Sequence, residues 1–95
     1  MLSIKKKPND VTLLIKLGKT YEKLRDFEEA INTFKMALRR DKKSFTAHYR
    51  IGLIFIKNNE REEGIEALLQ AHAINPNDID TLNKLSDLFL RENKI

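Results

Sequence analysis

The feature that most constrains this chain is a recurrence at 34 residues. Leu17-Gly18, Tyr21, Ala30, Phe34 and Ala37 return one period later as Ile51-Gly52, Phe55, Gly64, Leu68 and Ala71, and the opening part returns again as Leu85-Ser86 and Phe89. An apolar residue beside a small one, an aromatic three positions on, and then a small-large-small series mark a helix-turn-helix repeat. Such a unit cannot bury its apolar face alone, so it must stack on copies of itself. The recurrence therefore predicts an all-α chain before any single helix is considered.

Apolar periodicity places five helices. In the first, Leu13, Leu14, Leu17 and Tyr21 fall at three- and four-residue spacing between Val11 and about Leu24, which puts them on one stripe. Leu24-Arg25-Asp26-Phe27 breaks that phase and makes a turn, and a second helix from Glu28 to Arg40 presents Ala30, Ile31, Phe34, Ala37 and Leu38 inward. Phe45–Lys57 and Arg61–Ala73 repeat the pair around an Asn58-Asn59 turn, and Ile79 to about Glu92 forms a fifth helix that has no second helix after it.

The boundaries carry their own signals. Pro8-Asn9-Asp10 recurs as Pro76-Asn77-Asp78: proline discourages helix in the residue before it, and the aspartate caps the orphan N–H groups of the next helix. Lys42-Lys43-Ser44 holds the same place without proline, so Ser44 is the expected cap of a looser boundary. Gly18 and Gly52 sit in helix interiors, where each costs about 1 kcal/mol relative to alanine. The compensation expected is close backbone approach, with Ala30 opposite Gly18 and Gly64 opposite Gly52. A phosphate-binding reading fails, because no strand and no glycine-rich loop surround these glycines.

Composition narrows the function classes. Ninety-five residues suit one small domain rather than a two-domain enzyme with a cleft between its halves. The absence of cysteine removes disulfides and thiolate metal sites and fits a reducing compartment. The residues before Lys5 are too few to form a signal-peptide core, and no apolar run approaches the roughly 18 residues of a membrane span. An intracellular protein is expected, cytoplasmic in preference to nuclear despite the basic Lys5-Lys6-Lys7-Pro8 cluster. Ser3-Ile4, where a preceding unit would end, suggests a piece of a longer array.

Charge is uneven. Residues 1–44 hold twelve Lys/Arg against six Asp/Glu, whereas residues 45–78 hold three against five. The basic half can steer an acidic partner or a phosphate backbone, although charges on helices usually form a solvated face. No nucleophile, base and orienting acid occur together. His48 belongs to an inner stripe, and His72 to a helix end. Glu62 and Glu63 suit the first turn of a helix, where negative charge meets the dipole, and Glu66 continues a solvated face. No metal, cofactor or enzymatic activity is expected.

From Pro8 to about Glu92 the chain resembles the tetratricopeptide repeat (TPR) family. The departures are Leu14 and His48 at the family's usual tryptophan, Gly64 at an alanine, Leu68 at an aromatic and Ser86 at a glycine. The resemblance implies a right-handed α-α superhelix, a TPR solenoid of two helix-turn-helix repeats (11–44 and 45–78) plus a terminal helix (79–92), within one domain spanning 1–95. It also implies a protein-interaction module or scaffold segment whose first helices line a concave groove for a partner's peptide or helix. Carried onto this chain, the groove holds Thr12, Ile15, Lys19 and Glu22, then Thr46, Tyr49, Arg50, Leu53 and Ile56, then Asp80, Asn83, Lys84, Asp87 and Leu90. Tyr49, Leu53 and Ile56 are expected to be substantially exposed as its apolar centre.

Some family members clamp a chaperone's terminal carboxylate with lysines, asparagines and an arginine. The matching positions here are Ile15 and Lys19, Arg50, and Asp80 and Lys84, which do not reproduce that clamp. The alternative function is binding of RNA or single-stranded nucleic acid by the basic first repeat. It is disfavoured because Tyr49 is the single aromatic left over for base stacking once the helix interfaces are filled. In the fifth helix, Leu82, Leu85 and Phe89 are expected to dock onto the preceding pair. Leu88, extended by Ile95, is expected on the open side as a contact for self-association.

Overall fold

A computed structural model describes the backbone of residues 10–93 and the side chains of residues 10–90. Lys5-Lys6-Lys7, Ser3-Ile4, Pro8-Asn9 and Ile95 lie outside the described residues. The helices are α1 (Val11–Lys23), α2 (Phe27–Arg40), α3 (Phe45–Lys57), α4 (Arg61–Ile74) and α5 (Ile79–Asn93). They stack in chain order, α1 on α2, α2 on α3, α3 on α4 and α4 on α5. No strand occurs among the described residues.

Polar side chains start the odd-numbered helices. Asp10 Oδ1 accepts the Thr12 N–H at 3.0 Å, and Asp78 Oδ2 accepts both the N–H of Thr81 at 3.0 Å and its hydroxyl at 2.8 Å. Ser44 Oγ takes the N–H of Ala47 at 3.3 Å, the longest of these caps and the one without a preceding proline. Each cap of this kind contributes about 1 kcal/mol. In α2 and α4, acidic residues fill the first turn, Glu28 and Glu29 in one and Glu62 and Glu63 in the other.

Both helix pairs turn through the same device. At the end of α1, the Arg25 N–H reaches the Glu22 carbonyl at 3.0 Å and the Asp26 N–H reaches that of Tyr21 at 2.9 Å; at the end of α3, Asn59 and Glu60 make the equivalent bonds at 3.1 and 2.8 Å. This double return closes the orphan carbonyls only if the residue between takes a left-handed conformation, usually glycine. Here Arg25 has φ 63° and Asn59 has φ 66°. Asparagine tolerates that region, whereas an ordinary side chain pays about 1–2 kcal/mol.

The core is in two parts. Ala30, Phe34, Ala47, Ile51 and Ile54 form the first, flanked by Ile15, Tyr21, Phe27 and others. Leu68, Leu85 and Leu88 form the second, with Tyr49, Ile56 and Ile65 packed on it. The glycines explain how the pairs close. A Cβ on Gly52 would meet Leu68 Cγ at 2.8 Å and the Gly64 carbonyl oxygen at 3.1 Å, so the two backbones do approach there. At Gly18 the three nearest atoms, at 2.6 to 2.8 Å, all belong to the Phe34 ring. An aromatic ring thus lies over Gly18 in the first pair, as the Leu68 side chain lies over Gly52 in the second.

The fifth helix corrects the expected facing. Leu88 is 5% exposed, in the second core, and Thr81 and Leu85 are buried with it. Leu82 and Phe89, expected to dock, are 40% and 42% exposed. The 34-residue register gives the reason. Leu88 is the counterpart of Ile54, which is fully buried, while Leu82, Ser86 and Phe89 correspond to His48, Gly52 and Phe55 on the side facing α4. The open stripe of α5 is thus the one its own second helix would cover. Leu88 does not belong to it, which removes that residue as a self-association contact. At the other end, Leu13 and Leu17 are 43% and 44% exposed, although their counterparts Ala47 and Ile51 are buried against α2.

Candidate functional site: the surface of α1, α3 and α5

Side chains of α1, α3 and α5, with Arg25 of the first turn and Phe27 of α2, line two hollows. The first, about 310 Å3, is lined by Lys19, Glu22, Lys23, Arg25, Phe27, Arg50 and Lys57. The second, about 400 Å3, is lined by Tyr49, Asp80, Asn83, Lys84 and Asp87. Eight of the fourteen expected groove residues line one hollow or the other, with Lys84 among them; Thr12, Ile15, Thr46, Leu53, Ile56 and Leu90 do not.

Glu22 is the hinge of the first hollow. Its side chain is 12% exposed, and Oε2 accepts from Arg50 Nη1 at 3.5 Å, which joins α1 to α3. The pairing is long, so it holds the guanidinium without using up its donors. Phe27 forms one wall, with the Arg25 guanidinium 6.0 Å and the Lys57 ammonium 5.8 Å from its ring centroid. An aromatic face attracts cations at that range, so the ring fixes two charges at the rim. Sequence reading missed Arg25, Phe27 and Lys57. The signal was available in the turn at Arg25 and in the register of Lys57 with Lys23, one period apart.

In the second hollow the Tyr49 ring stacks on Phe45, centroids 5.6 Å apart and planes within 11°. Burial pushes the Tyr49 hydroxyl above the usual tyrosine range, and the charges of Asp80 and then Asp78 push the same way, with Arg50 opposing. The apolar centre is less open than expected. Tyr49, Leu53 and Ile56 are all half-buried, and Tyr49 and Ile56 pack against the second core. Ile56 is drawn in because Gly64 leaves space that its side chain fills. Ile15 likewise packs on the first core, while Thr46 is half-buried and Thr12, Asp80, Asn83, Lys84, Asp87 and Leu90 are exposed.

His48 Nε2 donates to the Lys42 carbonyl at 3.1 Å and His72 is half-buried near the end of α4. Among the described residues, no three His, Cys, Asp or Glu side chains gather as metal ligands, and no helix is long and apolar enough to cross a membrane.

Comparison with known proteins fits this geometry. The chain is 25% identical over 87 residues to anaphase-promoting complex subunit 3 of Schizosaccharomyces pombe, covering 92% of this chain and 13% of that protein. It is 28% identical over 67 residues to anaphase-promoting complex subunit CDC16 of Saccharomyces cerevisiae, covering 70% of this chain and 8% of that one. The chain thus spans a small fraction of the length of these relatives. Family models described as tetratricopeptide repeat match residues 13–44 and 45–78, the two units that the 34-residue register joins, so the all-α superhelical chain belongs to the tetratricopeptide repeat family.

Proposed function

We propose that this protein-interaction module takes an extended peptide or a helix of a partner protein along α1, α3 and α5, without catalysis, as a segment of a larger scaffold. The two repeats and the fifth helix act as one unit in this reading. The observation that carries it is the pair of hollows on those three helices, whose linings include the neighbouring α3 residues Tyr49 and Arg50. Concave surfaces with a few convergent polar groups are the usual seats of ligands. Both relatives are named as subunits of one multi-protein complex, which supports a scaffold role and leaves the partner of this chain to be found.

A photo-crosslinking amino acid placed at Leu53, and separately at Leu69 on the exposed side of α4, tests the reading in cells. A discrete adduct from Leu53 that is absent from Leu69 supports it. Equal adducts from both positions, or adducts from Leu69 alone, overturn it. The nucleic-acid alternative gains nothing from Tyr49, whose ring is already stacked on Phe45 and stands among aspartates.

A further inference from the structure

The two hollows differ in charge, and from that difference we infer that the groove reads a partner of mixed charge, an Asp/Glu-rich stretch entering the α1–α3 end while the α3–α5 end turns polyanions away. This inference rests on the groove reading above. In the first hollow Lys19, Lys23, Arg25, Arg50 and Lys57 face the single carboxylate of Glu22. In the second, Asp80 stands with Lys84 and Tyr49, and at Tyr49 the charges of Asp80 and Asp78 act against that of Arg50. Arg50 lines the first hollow and Tyr49, its neighbour in α3, the second, so α3 contributes to both.

Three observations separate the first hollow from an ordinary solvated face. Arg25 of the first turn and Lys57 at the end of α3 both lie against one Phe27 ring. Arg50 is tied to Glu22 across α1 and α3. Arg25 also sits at a left-handed position, φ 63°, where the equivalent residue is the tolerant Asn59. Local strain retained at a rim charge points to a use for that charge. Several cations brought into one concavity focus the field and raise the local concentration of an anionic ligand.

The difference in charge also selects the class of anion. A nucleic-acid strand bears charge at every residue, so one that continued from the first hollow into the second would meet Asp80. A peptide can place glutamates in the first and lysines or neutral residues in the second. Complementary charge fixes orientation and on-rate more than raw affinity, so the groove would also set the direction of the peptide.

The test uses the full chain and fluorescence anisotropy at low and high salt. The probes are a labelled peptide with four glutamates at one end and two lysines at the other, an all-glutamate peptide, an all-lysine peptide and an oligouridylate of matched length. The mixed peptide should bind most tightly, and its affinity should fall at least tenfold in Lys19→Glu/Lys23→Glu and in Arg50→Glu. Arg25→Asn should weaken it about threefold without lowering the melting temperature, a separation that a merely structural role for Arg25 would not produce. Asp80→Lys should raise affinity for the all-glutamate peptide and the oligouridylate. No binding of the mixed peptide at low salt, tighter binding of the oligouridylate by the unaltered chain, or indifference to the Lys19→Glu/Lys23→Glu change would each overturn the inference. Leu53→Ser separates the two readings. Weaker mixed-peptide binding in that variant supports both, whereas unchanged binding that remains sensitive to Arg50→Glu keeps the acidic-segment inference and removes the groove path.

Discussion

The two helix pairs share a register and fill the same space with different side chains. In the first, Gly18 faces the fully buried ring of Phe34, so an aromatic side chain fills the crossing. In the second, Gly52 and Gly64 face each other, and each would bring its Cβ to 3.1 Å from the carbonyl oxygen of the other. Leu68 lies over Gly52 as Phe34 lies over Gly18, so the pairs differ in the shape of the side chain at one register position and in the reciprocal glycine contacts of the second. Equivalent positions in a repeat thus need equivalent volume in total, not equivalent residues, because a close-packed interior responds to filled space.

The largest expected effect breaks the ring-filled crossing. Gly18→Leu drives a branched side chain into a ring that has nowhere to go, and overpacking of this kind should cost about 3 kcal/mol or more, at the upper end of such changes. Phe34→Ala should cost about 3–5 kcal/mol by leaving a cavity. The sharper experiment combines them. If the ring and the glycine are one filled volume, the double variant should cost about 1–3 kcal/mol less than the sum of the two single changes in urea denaturation. Strict additivity of the two changes would show that Phe34 does not occupy the Gly18 space.

In the second pair a single methyl separates the two glycines. Gly52→Ala meets Leu68, which is fully buried, and the Gly64 carbonyl, so it should cost about 1–2 kcal/mol even after the roughly 1 kcal/mol gained in helix propensity. Gly64→Ala makes the same close carbonyl contact, with Gly52, but its nearest neighbour is the half-buried Ile56 side chain, which can rotate outward, so it should cost about 1 kcal/mol less than Gly52→Ala. Equal losses in circular-dichroism melts would contradict the claim that flexible and fixed neighbours decide the cost.

The fifth helix contrasts with both pairs because one side chain does what a second helix does elsewhere. Arg61 at the start of α4 donates from Nη2 to the Leu88 carbonyl at 2.6 Å, anchoring α5 toward its C-terminal end. Arg61→Ala should cost about 1.5 kcal/mol, the lower range for a charged hydrogen bond in a half-buried place. The loss should be local. Amide exchange should quicken in the second half of α5 and leave α1 and α2 unchanged, while uniform acceleration through all five helices would refute a local anchor.

Most of this architecture was legible because it depends on period. The 34-residue recurrence located the helices, and Asp10, Ser44 and Asp78 marked their starts. Facing was less legible. Leu82, Leu85, Leu88 and Phe89 all suit an amphipathic helix, and which of them is buried depends on whether α4 alone or a further helix covers α5. Comparing Leu88 with Ile54 would have resolved it, since register carries information that spacing within one helix does not. The site was half legible. Lys19, Glu22 and Arg50 followed from the family resemblance, whereas Arg25, Phe27 and Lys57 meet only through a turn whose left-handed residue is neither glycine nor asparagine.

That turn supplies the smallest and most discriminating comparison. Arg25 and Asn59 hold the same place in identical hydrogen-bonded turns, at φ 63° and 66°. The arginine bears steric strain that asparagine largely avoids, and it recovers part of that through Phe27, at the far limit of a cation–ring contact. Arg25→Asn should therefore stabilise the chain by about 0.5 kcal/mol, and Asn59→Arg should destabilise it by about 1 kcal/mol because Arg61 stands where Phe27 would and offers no ring. Urea midpoints at constant slope measure both, and the asymmetry is the informative part. Equal and opposite shifts would mean that the backbone alone sets the cost and that the Phe27 ring contributes nothing to holding Arg25 at the rim of the basic hollow.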